Sequence, residues 1–94
     1  MTIHIVQTNL FKKAVKKLRS NQKRDLDDAV KAIAQNPNIG QHKTGDLTGV
    51  LVHKFMMVNQ LTLIAYAYHE QSITLTLLAI GTHENFYRDL KKSL

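Results

Sequence analysis

Residues suited to acid–base chemistry lie in two parts of the chain, a strand-like segment and the C-terminal end. Lys54 lies in the first part, and His83, Tyr87 and Arg88 lie close together in the second. Cleavage of RNA by its own 2′-hydroxyl needs a base, an acid and cations that neutralise the charge building on the phosphorane. An imidazole accepts and donates protons near neutral pH. These four residues therefore supply every type that the reaction needs, if the fold brings them together.

The histidines and Tyr87 also have structural interpretations. His83 can be a helix-start residue bonded to a nearby carbonyl, and Tyr87 a half-buried aromatic that packs over the sheet edge. His42 lies in a predicted loop and can reach a groove, although an exposed loop histidine usually has no function. His53 is next to Lys54 on a predicted strand, so we expect it to point away from Lys54 and to be structural unless a bulge rotates it.

The composition excludes several classes of site. The chain has no cysteine, and therefore no disulfide, thiol nucleophile or cysteine-ligated zinc. Its five histidines form no i, i+4 pair and no His-x-His spacing, so we expect no metal site. The sequence contains no phosphate-binding glycine loop, nucleophile elbow or zinc-protease helix. We expect the protein to work without a cofactor.

The length of 94 residues predicts a single domain over residues 1–94, with one modest hydrophobic core. No stretch approaches the roughly 18 apolar residues of a membrane span, and the N-terminal residues lack the pattern of a secretory signal. We expect a soluble, cytoplasmic protein that does not bind a membrane.

The charge is strongly positive and unevenly distributed. The chain carries 13 Lys and Arg against 7 Asp and Glu, a formal net charge of +6. Ten of the thirteen cations lie in Lys12–Arg24 or Arg88–Lys92. Such a small basic body attracts polyanions such as nucleic acid, or an acidic protein partner. Solvated helix faces explain the same distribution, so charge alone does not choose between these partners.

The hydrophobic periodicity predicts an α+β fold in which a helical hairpin packs on an antiparallel sheet. The predicted elements are a strand at Thr2–Gln7, a helix capped by Thr8 or Asn9 that ends near Ser20, a helix ending near Gln35, strands at Val50–Val58, Leu61–His69 and Ile73–Ile80, and a short helix holding Phe86 and Leu90. The residues between Gln35 and Val50 are expected to form a loop, because Pro37 disfavours helical geometry at the residue before it.

Strand parity predicts which residues face the helices. Ile73, Leu75 and Leu77 should meet the helical hairpin, and Thr74 and Thr76 between them should line the opposite, open face. If Phe55 is a core residue, its neighbour Lys54 projects from the open face. On the first helix, Phe11, Val15 and Leu18 lie at i, i+4 and i+7, and we predict that all three are core residues.

Four segments carry a resemblance to a known family. They are Gly-Asp-Leu-Thr-Gly at residues 45–49, His-Lys-Phe at 53–55, Leu-Ile-Ala-Tyr at 63–66 and Gly-Thr-His-Glu-Asn-Phe-Tyr-Arg-Asp-Leu at 81–90. Together with the order of elements, they resemble the RelE/ParE superfamily of bacterial type II toxins over essentially the whole chain. The last segment is the most specific, since it is similar to the ending of the YafQ-like branch and still more to ParE-like members.

The resemblance implies roles for individual residues. His83 occupies the position of the catalytic histidine of YafQ-like toxins, and Tyr87 that of an aromatic residue that contacts or orients the substrate. Lys54 corresponds to a strand lysine of RelE-type enzymes that stabilises phosphate or transfers a proton. We therefore predict that these three residues are catalytic. His42 corresponds approximately to a loop histidine of YafQ-like toxins. The predicted substrate-binding residues are Arg88, His42, Lys43 and Lys91.

The sequence departs from RelE where that toxin carries a dense set of cations. Leu63 or a neighbour stands in place of an arginine of the central strand, and Val52 in place of a second lysine. The resemblance then implies histidine-centred, metal-independent cleavage, with Lys54 and Arg88 as electrostatic support.

Two activities are known in this superfamily, so the resemblance leaves alternatives open. The first is a ribosome-dependent mRNA endonuclease, and the second is a ParE-like inhibitor of DNA gyrase without nuclease activity. A basic interaction domain that has lost activity is a third. Both toxin activities imply a cognate acidic antitoxin that folds onto the toxin.

Overall fold

The computed structural model describes residues 3–93, without the side chains of residues 83–85 and 93. The elements are β1 His4–Gln7, α1 Asn9–Lys16, α2 Ser20–Gln35, β2 Gln41–His42, β3 Leu51–Met57, β4 Gln60–His69, β5 Thr74–Gly81 and α3 His83–Ser93. The predicted α+β fold is confirmed, and every predicted helix and strand is present, although Thr2 of the first predicted strand lies outside the described residues. The additional elements are the two-residue strand β2 and a short 3-10 turn at Gly45–Leu47.

The five strands form one sheet in the order β1-β5-β4-β3-β2. Strands β3, β4 and β5 are an antiparallel meander, as predicted, whereas β1 pairs with β5 in parallel. The sheet is therefore mixed rather than wholly antiparallel. Parallel pairing needs a long crossover connection, and the helical hairpin with the first strands of the meander provides one between β1 and β5.

The boundary between the two helices differs from the prediction. Thr8 is the N-cap of α1, and its hydroxyl oxygen accepts a hydrogen bond from the Phe11 amide at 3.2 Å. Helix α1 ends at Lys16, not near Ser20, because Arg19 has an extended backbone and is the N-cap of α2. The Arg19 amide donates to Gln22 Oε1 at 2.7 Å, which closes the first turn of α2.

Helices α1 and α2 cover one face of the sheet and form the first core cluster. Its fully buried side chains include Phe11, Ile33, Leu75 and Tyr66. Val15 and Leu18 pack against this cluster but are only partly buried, so of the three predicted core residues of the first helix only Phe11 is fully buried. No helix between residues 3 and 93 is long and apolar enough to cross a membrane.

Helix α3 packs on the other face of the sheet and forms a second core cluster. Phe86 and Leu90 are buried one turn apart on α3 and contact Val52, Leu63 and Ala79 of the sheet. A β-bulge at Leu78 shifts the register, since Ala65 pairs with Ala79 and Tyr66 with Leu77. The bulge turns Ala79 toward α3, although Leu75 and Leu77 face the helical hairpin as predicted. Ile73, which was predicted to face the hairpin with them, precedes β5 and has a φ angle of 50°.

A tyrosine hydroxyl holds the loop between α2 and β2. The Tyr66 hydroxyl donates to the Pro37 carbonyl at 2.7 Å and accepts from the Gly40 amide at 2.9 Å. Burial raises the pKa of this phenol, and the bond from Gly40 opposes part of that rise. The loop is therefore fixed by a residue of the central strand rather than by its own sequence.

Candidate functional site

The two buried residues of α3, Phe86 and Leu90, determine which flank of the helix faces the open side of the sheet. Because Phe86 and Leu90 point inward, positions 83, 87 and 91 fall on one flank of the helix at i, i+4 and i+8. Tyr87 is half-buried on this flank, and its ring meets that of Phe86 edge-on with centroids 5.2 Å apart. This contact fixes the plane of the Tyr87 ring.

Lys43 reaches Tyr87 from the loop, and Lys91 lies one helical turn after Tyr87 on the same flank of α3. Lys43 Nζ lies 5.2 Å from the centroid of the Tyr87 ring, within the range of a cation–π interaction. The Lys43 amide donates to the Val50 carbonyl at 2.9 Å, which extends the pairing of β2 with β3 by one residue. The same lysine donates to Gln41 Oε1 at 3.4 Å. Lys43 therefore reaches α3 from an anchored backbone.

Asp46 is a member of this cluster that the sequence analysis did not single out. Its Oδ2 lies 4.0 Å from Lys91 Nζ, with both side chains largely exposed. Such an exposed pair contributes at most about 1 kcal/mol. Its significance is its position, because it joins the 3-10 turn at Gly45–Leu47 to the flank of α3 that carries Tyr87. Lys91 was among the predicted substrate-binding residues, whereas nothing in the sequence pointed to the loop residue Asp46.

Lys54 lies on the same face of the sheet as α3 and is exposed. In the sheet register it pairs with Leu63, which pairs in turn with Gly81 at the end of β5. Two strand spacings, about 10 Å, therefore separate the backbone of Lys54 from that of Gly81. His83 opens α3 two residues later, but its side chain lies outside the described residues.

The structure does not bring Arg88 and His42 to this cluster. Arg88 lies on the side of α3 that faces solvent, where its Nε is 3.9 Å from the Asp89 carboxylate. His42 pairs with Leu51, and cross-strand partners share a face of the sheet. Because Leu51 belongs to the cluster under the helical hairpin, His42 lies on the face opposite Lys54. The roles predicted for these two residues are untested.

His53 also faces away from Lys54, as strand parity predicts. Its ring lies parallel to that of Phe55, with centroids 6.3 Å apart, on the side of the helical hairpin. Burial lowers the pKa of His53, since desolvation disfavours the charged imidazolium. Within the described part of the chain, no group of three histidine or acidic residues is placed to hold a metal ion.

The cluster consists of one aromatic ring, two cations and one carboxylate, namely Tyr87, Lys43, Lys91 and Asp46. Lys54 is exposed on the same face of the sheet. Ammonium groups of this kind neutralise phosphate charge. A phenol hydroxyl can donate its proton in a hydrogen bond or to a leaving group. Because Lys43 covers one face of the Tyr87 ring, a nucleobase can stack on that face only after the lysine moves.

Comparison with known proteins links this fold to toxins. Residues 5–91 match the sequence model of the ParE-like toxin of type II bacterial toxin–antitoxin systems. No curated protein sequence matches the chain. Among solved structures, a mutant of the E. coli toxin RelE in the free state has a TM-score of 0.75 at 14% identity, over 99% of this chain and 94% of that one.

Two toxin–antitoxin complexes show the same likeness. The E. coli RelBE complex contains a chain with a TM-score of 0.71 at 14% identity, over 88% of this chain and 99% of that one. The RelBE2 complex of Mycobacterium tuberculosis gives a TM-score of 0.67 at 15% identity, over 86% of this chain and 91% of that one. At such low identity these structures support the fold and carry no residue roles.

Proposed function

Because this chain belongs to the ParE-like toxin family of type II bacterial toxin–antitoxin systems, we propose that it arrests growth by cleaving mRNA on the ribosome. The observation that carries this proposal is the cluster around Tyr87, which shares one face of the sheet with Lys54. The cluster offers a proton donor, Tyr87, one helical turn after His83 on α3, with cations beside it.

The proposed reaction is attack of the 2′-hydroxyl on the adjacent phosphorus. His83 accepts the proton of the 2′-hydroxyl while the bond between the 2′-oxygen and phosphorus forms. The bond between phosphorus and the 5′-oxygen breaks, and the Tyr87 phenol donates a proton to the departing 5′-oxygen. Lys54 and Lys43 neutralise the charge on the phosphorane. The products are a 2′,3′-cyclic phosphate and a 5′-hydroxyl, and no metal ion takes part.

The partner that silences the toxin is a cognate antitoxin. Related toxin folds have been solved in the RelBE complexes and with a peptide of the antitoxin RelB. We propose that the antitoxin of this chain is acidic in the segment that contacts the toxin, since the toxin carries a net charge of +6. A disordered acidic segment can wrap such a small basic protein and neutralise it.

Mapping of transcript 5′ ends after induction tests the proposed cleavage. The wild-type chain should create new 5′ ends in translated mRNA, and Tyr87→Phe or His83→Ala should reduce the cleavage rate by about 10²–10⁴-fold. Lys54→Gln should also reduce cleavage, whereas Lys31→Gln on the exposed side of α2 is a control that removes the same charge. Soluble yield and circular dichroism must show that each variant folds. Full toxicity of both Tyr87→Phe and His83→Ala would refute the catalytic assignment.

Inhibition of DNA gyrase is the second candidate, and the match to a ParE-like sequence model favours it. Such a toxin is a binding module that needs no proton transfer by His83. It should induce the DNA damage response while transcripts stay intact. The same induction experiment therefore separates the two candidates, because new transcript ends and DNA damage are measured in one culture.

A further inference from the structure

A groove of about 420 Å³ lies between α1 and the junction of β5 with α3. Leu10, Ala79 and Phe86 contribute an apolar floor, Lys13 and Lys17 line its α1 side, and Asp89 lines its α3 side. Asp89 is on the flank of α3 opposite Tyr87, so the groove is separate from the candidate catalytic cluster. Its volume matches that of sites for a few side chains.

The groove exists because β1 is shorter than β5. Pairing of β1 with β5 ends at Leu77, where the chain leaves the sheet and enters α1. Thr8 fixes this departure, since its amide donates to the Leu77 carbonyl at 3.1 Å and its hydroxyl to the Leu78 carbonyl at 2.8 Å. Beyond Leu78, no described strand lies beside β5 on this side. The strand edge at residues 79–81 therefore borders the groove.

The two sides of the groove differ in charge. Lys13 lies on α1 and Lys17, the C-cap residue of that helix, follows one helical turn later, and both are exposed. Among the described residues, neither lysine forms an ion pair. Across the groove, the Asp89 carboxylate lies near Arg88 at 3.9 Å. A ligand with carboxylates on the α1 side and none on the α3 side fits this arrangement.

We propose that this groove binds an extended acidic segment of the antitoxin, an inference that rests on the partner proposed above. The segment continues the sheet along residues 79–81, as β1 does along the first half of β5. An apolar side chain covers the floor at Phe86, and carboxylates on the α1 side meet Lys13 and Lys17. The apolar floor and Asp89 favour a peptide over a nucleic-acid backbone, whose phosphates Asp89 repels. The proposal needs no nuclease activity, so failure of the cleavage mechanism leaves it standing.

Fluorescence anisotropy with the purified full chain tests the proposal. The probe is a labelled heptapeptide of the sequence Ser-Glu-Leu-Glu-Val-Glu-Ser. A peptide with lysines in place of the glutamates and an eight-nucleotide oligouridylate are the comparison probes. The double variant Lys13→Gln/Lys17→Gln should weaken binding of the acidic peptide about fivefold.

The matched control is Lys12→Gln/Lys16→Gln, which removes the same charge from the same helix outside the groove. This control should change the affinity less than twofold, and Asp89→Asn should tighten binding. In a nuclear magnetic resonance titration, the amide signals of residues 79–81 should shift.

Four outcomes would overturn the proposal. The first is equal weakening of acidic-peptide binding by the two double variants, and the second is no binding of that peptide at millimolar concentration. The third is a titration that leaves the amide signals of residues 79–81 unchanged. The fourth is that loss of Lys13 and Lys17 weakens binding of the oligouridylate but not of the acidic peptide. The last outcome would assign the groove to nucleic acid. All four substituted lysines are exposed, so the variants should fold, which circular dichroism checks.

Discussion

The two faces of the sheet differ in how completely helices cover them. Under α1 and α2, the central side chains are sealed, and Tyr66 and Leu75 are 0% exposed. On the other face the single helix α3 covers β4 and β5 but leaves part of β3 open, so Met56 is 57% exposed and Lys54 is also exposed. The first face stabilises the protein, and the second has room for a macromolecule to reach charged side chains.

This difference explains where the cluster around Tyr87 lies. Charged groups placed under the helical hairpin would lose their hydration, which costs several kcal/mol for each ion. On the face covered by α3, Lys43, Lys54 and Lys91 keep their contact with water. Substitutions on the two faces should therefore have different effects, with loss of stability on the first and changes in activity or small effects on the second.

The largest effect on stability is expected from Phe11→Ala. Phe11 is 2% exposed at the centre of the cluster under the hairpin, and truncation of such a residue costs about 3–5 kcal/mol. That is a large part of the stability of a domain of this size. Urea unfolding measures the loss, and Met56→Ala on the other face is the control, with an expected change within about 0.5 kcal/mol. Equal losses in the two variants would contradict the proposed difference between the faces.

A smaller loss is expected from Gly40→Ala. A Cβ at this position would lie 2.6 Å from the Tyr66 hydroxyl oxygen and 2.9 Å from its Cε1, so the loop or the ring must shift. Such overpacking costs about 1–3 kcal/mol. Thermal unfolding measures it.

Gly81→Ala is the matched control, because a Cβ there would make an ordinary contact at 3.7 Å with Phe86. Tyr66→Phe tests the same contact from the other side, since it leaves the Pro37 carbonyl and the Gly40 amide without the hydroxyl. We expect a loss of about 1–3 kcal/mol there too. If Gly40→Ala and Gly81→Ala are equally stable, Tyr66 does not hold the loop in this way.

A gain in stability is expected at the hairpin that joins β3 to β4. Val58 and Asn59 have φ angles of 49° and 66°, and a β-branched residue is strained in this region. Val58→Asn should raise the free energy of unfolding by about 1 kcal/mol, because asparagine tolerates the left-handed conformation. The Val58 amide donates to Asp25 Oδ2 at 2.8 Å, and the substitution keeps this backbone bond. A loss of stability would show that the Val58 side chain makes a stabilising contact that outweighs the strain.

Local patterns in the sequence predicted the faces of the sheet well. Alternation on β3 placed Lys54 on one side and Phe55 on the other, and alternation on β5 placed Leu75 and Leu77 under the helices. These predictions depend only on the two-residue period of a strand. The sequence also predicted a short helix with Phe86 and Leu90 four residues apart, and the structure buries both side chains.

Features that depend on distant contacts could not be predicted. The bulge at Leu78 reverses the face of Ala79, and it is set by the pairing of β5 with β4. The short strand β2 is not apparent in the sequence, because only its pairing with β3 defines it. For the candidate site this matters directly, since that pairing places Lys43 over Tyr87 and His42 on the opposite face.

The smallest effect concerns protonation of His53, which lies on the covered face beside Phe55. Burial lowers the pKa of His53 below its ordinary 6.5, so below this pH the unfolded chain binds more protons than the folded one. Stability from this residue should therefore be constant above pH 6.5 and fall as the pH drops through it. Urea unfolding of the wild type and His53→Gln at pH 7.5 and 5.5 isolates the effect, because other titrating groups cancel in the difference. The wild type should lose stability relative to the variant at the lower pH. A relative gain would mean that the imidazolium finds an anionic partner in the folded protein, and that this part of the covered face tolerates charge as the open face does.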